Sequence, residues 1–341
     1  MVKPFLRKTI ASAAQERRLK MILREPEFTD WLLNAKTPSI RYQTLVDLLG
    51  FPATDPLVTQ ARQAIMTDGP VPAILSQQSE SGQWQPEQSY YTPKYVSTHW
   101  SMTMLAELSI DGSDVRFQSG VEHMLAATID ELSERLDTGR LGFSCFWGNL
   151  LRYALHAGKA SDARLEKIIH YAALDLHSGH CRCVHNGGFA CAWGVARTLW
   201  GLAAIPTAER SPETNSAIAQ GVEFLLESFS LIEANYPTRD NSGISPYWFK
   251  LNFPLFYQVD ILFCLRVLDE LNLLEHPGAQ PALNWLAQRR EADGHWAAIS
   301  PFRPRTWRAL GEREETGRWI DLQASRILLH AKRLRPYNGE G

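Results

Sequence analysis

Long apolar runs are missing from this 341-residue chain, and so is any Gly/Ser/Pro-rich stretch that would read as a linker. The first absence leaves nothing long enough to span a membrane. The second makes residues 30–332 a single domain. Strand-like alternation is also nearly absent, which excludes a sheet-based architecture and leaves an all-α fold. Charge of one sign is lacking too: the net charge is −2, so no basic surplus is offered to a nucleic acid. Cysteine is scarce, and the five present (Cys145, Cys181, Cys183, Cys191 and Cys264) sit in a chain without an export signal. They are expected to be reduced thiols of a cytoplasmic protein. Residues 1–29 form a basic extension carrying Lys3, Arg7, Lys8, Arg17, Arg18, Lys20 and Arg24. As a helix, residues 1–25 either pack on the exterior or rest on an anionic membrane surface. Residues 333–341 read as a flexible tail.

What the chain does have is a faint repeat, a leucine-rich helical signature with a glycine–aromatic turn before several copies. The best turn reads Gln78-Ser79-Glu80-Ser81-Gly82-Gln83-Trp84, and a degenerate one, Arg290-Glu291-Ala292-Asp293-Gly294-His295-Trp296, lies near the other end. Aligning the segments on Leu-x-x-Leu pairs such as Leu105/Leu108 and Leu268/Leu271 places helix starts near Thr37, Ser97, Trp147, Cys191, Asp260 and Ile320. Between them, Asp55 to Met66, Asp114 to Leu132, Asp162 to Leu176, Thr214 to Phe229 and Gly278 to Arg290 carry apolar residues at helical spacing. Several open on an Asp, Ser or Pro start signal. About six helical hairpins of this length stack side by side and can close into a ring.

On these motifs, Gln78-x-x-x-Gly82-x-Trp84 with its echo Gly294-x-Trp296, the chain resembles the squalene-cyclase and protein-prenyltransferase superfamily over residues 30–332. The resemblance implies an α/α toroid of inner and outer helices around an apolar pocket. It also implies that Gln78 and Trp84 tie the end of an outer helix to the next inner one. The function it implies is terpenoid cyclisation or prenyl transfer on an isoprenoid or other hydrophobic chain. The alternative is a toroid without chemistry that binds a lipid-like ligand or a protein.

The residues offer three constellations for such a role. Aromatic side chains at the inner-helix starts, among them Trp100, Trp147, Trp193, Trp248, Phe256, Tyr257 and Phe263, can line a cavity and stabilise a cation, or fill a core. The cyclases' Asp-x-Asp-Asp and the magnesium-binding Asp-Asp-x-x-Asp are absent. The catalytic candidates are therefore Asp260, as a buried proton donor or a plain N-cap, and His99 beside Trp100. Asp321 is a weaker candidate of the same kind. Helical phase puts Arg197, Arg266 and Arg326 on one inner face, either to hold an anionic group or to pair with Glu107, Glu270 and His330. No cofactor is demanded. Zinc is the one metal that Cys181, Cys183, His185 and Cys191 suit, although the prenyltransferases' Asp-x-Cys ligand pair is missing. The other reading of that segment is Cys191 packed in the core and the histidines on a loop.

Overall fold

The structure is a computed structural model that describes residues 26–333. The calls made on residues 1–25 and on most of the C-terminal tail lie outside the described residues. Within them the chain is all-α, apart from one parallel pairing of Leu251–Asn252 with Ala298–Ile299. The helices are α1 (Pro26–Leu33), α2 (Pro38–Gln43), α3 (Pro56–Thr67), α4 (Pro70–Leu75), α5 (Thr98–Glu107), α6 (Val115–Thr138), α7 (Ser144–His156), α8 (Ala163–His177), α9 (Ala192–Ala203), α10 (Pro212–Glu223), α11 (Ile261–Glu270), α12 (Gln280–Gln288) and α13 (Arg313–His330). Single π-turns, Thr44–Leu48 and Phe224–Ser228, extend α2 and α10.

Start signals act as the sequence suggests. The carboxylates of Asp55, Asp114 and Asp162 accept from the Leu57, Arg116 and Arg164 amides, and the Ser211 hydroxyl accepts from Thr214. Two burial patterns then alternate along the chain. Helix α9 is buried at every position except Trp193, and α5 and α13 are buried nearly all round. By contrast α6 buries one stripe, Phe117, Gly120, Val121, Met124, Leu125, Thr128 and Leu132, and leaves its other positions half-buried or exposed. The buried helices touch in sequence: α5 on α7, α7 on α9, α9 on α11, α11 on α13, and α13 on α2. The Ser39 hydroxyl donates to the Leu108 carbonyl at 2.6 Å and so joins α2 to the end of α5. The one-sided helices α6, α8, α10 and α12 each pack on a buried neighbour.

Both glycine–tryptophan turns make the same bonds. The Trp84 indole donates to the Ile74 carbonyl ten residues back, and the Trp296 indole to Leu286, also ten back. The Gln78 amide closes one turn on the Gly82 carbonyl, and the Arg290 guanidinium closes the other on Gly294. Trp84 N–H reaches Thr98 and Trp296 N–H reaches Asp321, so each turn fastens the end of a one-sided helix to a buried one.

Two helix starts differ from expectation. The helix expected near Trp147 begins at Ser144, and the last begins at Arg313, which leaves Ile320 two turns inside it. Leucine pairs set phase and not length, and α13 runs 18 residues where α5 and α11 run 10. Helix α1 crosses the boundary expected at residue 30 and packs on α13, with the Trp31 indole donating to Asp321.

Candidate functional site

The N-terminal ends of α7 and α9 lie side by side and open on a cleft of about 620 Å³. Close approach of the two helices puts them there. A methyl group on Gly148 would sit 2.3 Å from the Arg197 carbonyl oxygen, and one on Gly201 would sit 2.6 Å from the Gly148 oxygen. Phe143, Ser144 and Cys145 come from the start of α7, and Cys191, Ala192, Trp193 and Gly194 from the start of α9. Tyr91 and Lys94 enter from the turn before α5, and Tyr257 from the segment before α11. The far wall is the irregular stretch from Tyr236 to Ser245. Asn186 clamps that wall in place, donating to the Pro237 carbonyl and accepting from the Arg239 amide.

Behind Tyr91 lies a buried aromatic cluster. Tyr91 meets Trp100 at 4.8 Å between ring centres, Tyr95 stacks on Phe256 at 4.4 Å, and His99 stacks on Phe146 at 4.4 Å. Trp193 and Tyr257, 6.1 Å apart, carry the aromatic lining out to solvent. Lys94 stands 4.7 Å from the Tyr257 ring and 5.5 Å from Tyr91.

Four cysteines, Cys145, Cys181, Cys183 and Cys191, line this cleft. Cys183 immediately precedes the short helical turn Val184–Asn186, and Cys191 caps α9 with its sulfur 3.5 Å from the Gly194 amide. The Cys183 thiol is pulled below the usual thiol range, first by a hydrogen bond from Cys191 and then by the His185 and Asn186 amides. The same bond, together with burial, holds the Cys191 proton firmly in place. Burial pushes Cys145 up to about 11. Beneath them the Ser144 hydroxyl bonds Asp175, whose carboxyl burial lifts to about 6.

Of the expected site residues, Trp193, Tyr257, Cys181, Cys183, His185 and Cys191 line the cleft. Cys181 is fully buried against the Thr198 hydroxyl, and His185 is exposed on the rim. Among the described residues no group of three or more His, Cys, Asp or Glu is placed to hold a metal ion, so the four expected ligands do not converge.

Trp100, Trp147, Trp248, Phe256 and Phe263 are core residues. The Trp100 and Trp248 indoles donate to the carbonyls of Tyr91 and Leu231. Asp260 caps α11: one oxygen accepts the Phe263 amide at 2.8 Å, and the other accepts the Asn252 backbone and side-chain N–H groups. Burial raises its pKa to about 6. Asp321 is likewise buried and occupied, accepting from Trp31, the Trp296 amide and the His295 ring. His99 is fully buried, bonded to the Tyr153 hydroxyl and held down to about 3 by desolvation.

Arg197 and Arg266 meet over Phe263, at 4.0 and 5.7 Å from its centre. Arg197 donates to the Gln258 carbonyl, whereas Arg266 pairs with Glu107 at 2.6 Å. Arg326 lies apart, between Asp47 and Asp269, and His330 also bonds Asp269. Glu270 pairs instead with Arg152.

Sequence reasoning missed Tyr91, Lys94, Cys145 and the wall from Tyr236 to Ser245. One signal was available, the long irregular connection between α10 and α11, because structureless loops of that length in a compact domain are usually functional. Fold and site together define an all-α protein with a buried aromatic cluster that opens on a mainly apolar cleft. No protein-family model matches the chain, no curated protein matches it, and no solved structure matches it.

Proposed function

We propose that the protein is an α/α toroid of the squalene-cyclase and prenyltransferase kind that binds an isoprenoid, or another hydrophobic chain with an anionic end, in this cleft. The toroid is supported by the succession of contacts from α2 through α5, α7, α9, α11 and α13 back to α2, and by the equivalent bonds of the two glycine–tryptophan turns. The observation that carries the ligand class is the cleft itself. Its volume of about 620 Å³ falls within the range of small-molecule sites, and Tyr91, Phe143, Trp193 and Tyr257 supply apolar walls. Lys94 and Arg239 lie where a carboxylate or diphosphate end would face them. Large apolar side chains exposed beside the mouth, Phe143 at 40%, Phe189 at 49% and Val184 at 78%, suit entry of a greasy ligand. Binding is the part of the cyclase-like reading that the cleft supports. Protonation of an alkene by Asp260 has no such support, because both its oxygens are engaged in capping and it does not line the cleft.

Isothermal titration with farnesyl diphosphate and with farnesol tests this. Both are expected to bind in the micromolar range, with the diphosphate tighter and more sensitive to salt. Trp193→Ala is expected to weaken both about tenfold, ~1.4 kcal/mol. Absence of binding by either compound to folded protein ends the reading.

A further inference from the structure

The cysteines of the cleft have a chemistry independent of any isoprenoid. The strand-like stretch before α9 folds back on itself: Cys183 N–H donates to the Phe189 carbonyl at 3.1 Å, Gly188 N–H to the Cys183 carbonyl at 2.9 Å, and Cys191 N–H to the His180 carbonyl at 3.1 Å. The turn needs positive φ at Gly187 (+67°) and Gly188 (+82°), and it brings Cys183 and Cys191 onto the same cleft, where the Cys191 thiol pulls the Cys183 pKa down. Both sulfurs line the cleft and both side chains are partly accessible. The Cys191 sulfur also meets the Gly194 amide at the start of α9, and of the pair it is Cys183 whose thiol is pulled below the usual range.

We propose that Cys183 and Cys191 are a reactive dithiol for thiol–disulfide exchange with low-molecular-weight disulfides entering the cleft, Cys183 attacking and Cys191 resolving. The Cys183 thiolate attacks one sulfur of the incoming disulfide. That S–S bond breaks, and the departing thiolate takes a proton from water. Cys191 then attacks the Cys183 sulfur of the mixed disulfide, and its proton passes through water to the second thiolate as that leaves. Two protein thiols are oxidised to one disulfide, and one small disulfide is reduced to two thiols. Cys181 is excluded by burial. Cys145, also on the cleft, is the competitor that a test must separate.

The experiment uses the full chain, incubated reduced at neutral pH with glutathione disulfide, quenched with iodoacetamide and mapped by peptide mass spectrometry. The expected product is a Cys183–Cys191 disulfide, with Cys145, Cys181 and Cys264 recovered alkylated after denaturation. In Cys191→Ser, glutathione should remain trapped on Cys183. In Cys183→Ser, incorporation should fall at least tenfold, while Cys145→Ser should react as the parent does. All five cysteines recovered as thiols, or a disulfide or adduct at Cys145 in place of the pair, overturns the proposal. Circular dichroism of each variant separates loss of reactivity from loss of fold. Because glutathione disulfide carries no hydrophobic chain, failure here leaves the isoprenoid titration standing, and the reverse also holds.

Discussion

At the scale of single residues, buried ionisable groups give the protein opposing responses to pH. His99 has no charge partner, and burial holds its pKa near 3, whereas an unfolded histidine titrates near 6.5. Between those values the unfolded chain takes up a proton that the folded chain refuses, so His99 costs stability as pH falls from about 6.5, at ~1.4 kcal/mol per unit. Asp175 and Asp260, both raised to about 6 from 3.8, act in the other direction: the folded protein keeps protons that the unfolded chain has released, and stability falls as pH rises from about 4 to about 6. His99→Gln should therefore show its largest deficit at neutral pH. Urea melts should find the gap to the parent narrowing by ~1 kcal/mol or more by about pH 5; a constant gap would mean that His99 is not neutral and buried. Residue roles were only partly legible beforehand. Asp260 reads as acid or cap in sequence, the cap the readier of the two, and the Asn252 amide that completes its hydrogen bonding comes from a strand no periodicity announces. Cys181 and Cys183 differ by two positions, yet Cys181 is fully buried and Cys183 partly accessible, with the backbone at His180 and Cys181 in the left-handed region between α8 and the turn.

At the scale of elements, the α7–α9 contact decides where the cleft forms. Alanine is the better helix former by ~1 kcal/mol, so propensity alone says that Gly148→Ala stabilises α7. With the Arg197 carbonyl 2.3 Å from the new methyl, the helices must separate instead. We expect a net loss of about 2 kcal/mol in urea denaturation, together with weaker ligand binding as the helix starts move apart; a stabilised variant would refute the close crossing. The one-sided helices were legible, since a stripe repeating every three or four residues is itself a record of what is buried. The starts of α7 and α13 were not, because the leucine pairs that place a helix fix its phase and not its length.

At the scale of the whole molecule, the last helix fastens the first. Glu315 in α13 accepts the Lys36 and Thr37 amides at 3.1 and 2.8 Å and pairs with Arg318 at 2.5 Å, with Thr37, Glu315 and Arg318 buried. Glu315→Ala strands two amides, while Arg318 keeps Glu314 and the Trp31 carbonyl, and should cost ~2 kcal/mol. If the described residues unfold as one unit, urea melts will show that loss with an unchanged slope; a second transition would show that the ends come loose separately. The all-α class, the alternation of helices and the two glycine–tryptophan turns were already written in residue order, because each depends on neighbours within a few turns of chain. The cleft was not. Its walls come from Tyr91, Cys145, Cys183, Trp193, Thr238 and Tyr257, and what brings them together is the packing of α7 on α9 and a long loop clamped by Asn186. Local periodicity records which face of a helix is buried, but which distant residues share a cavity is decided only when the helices pack.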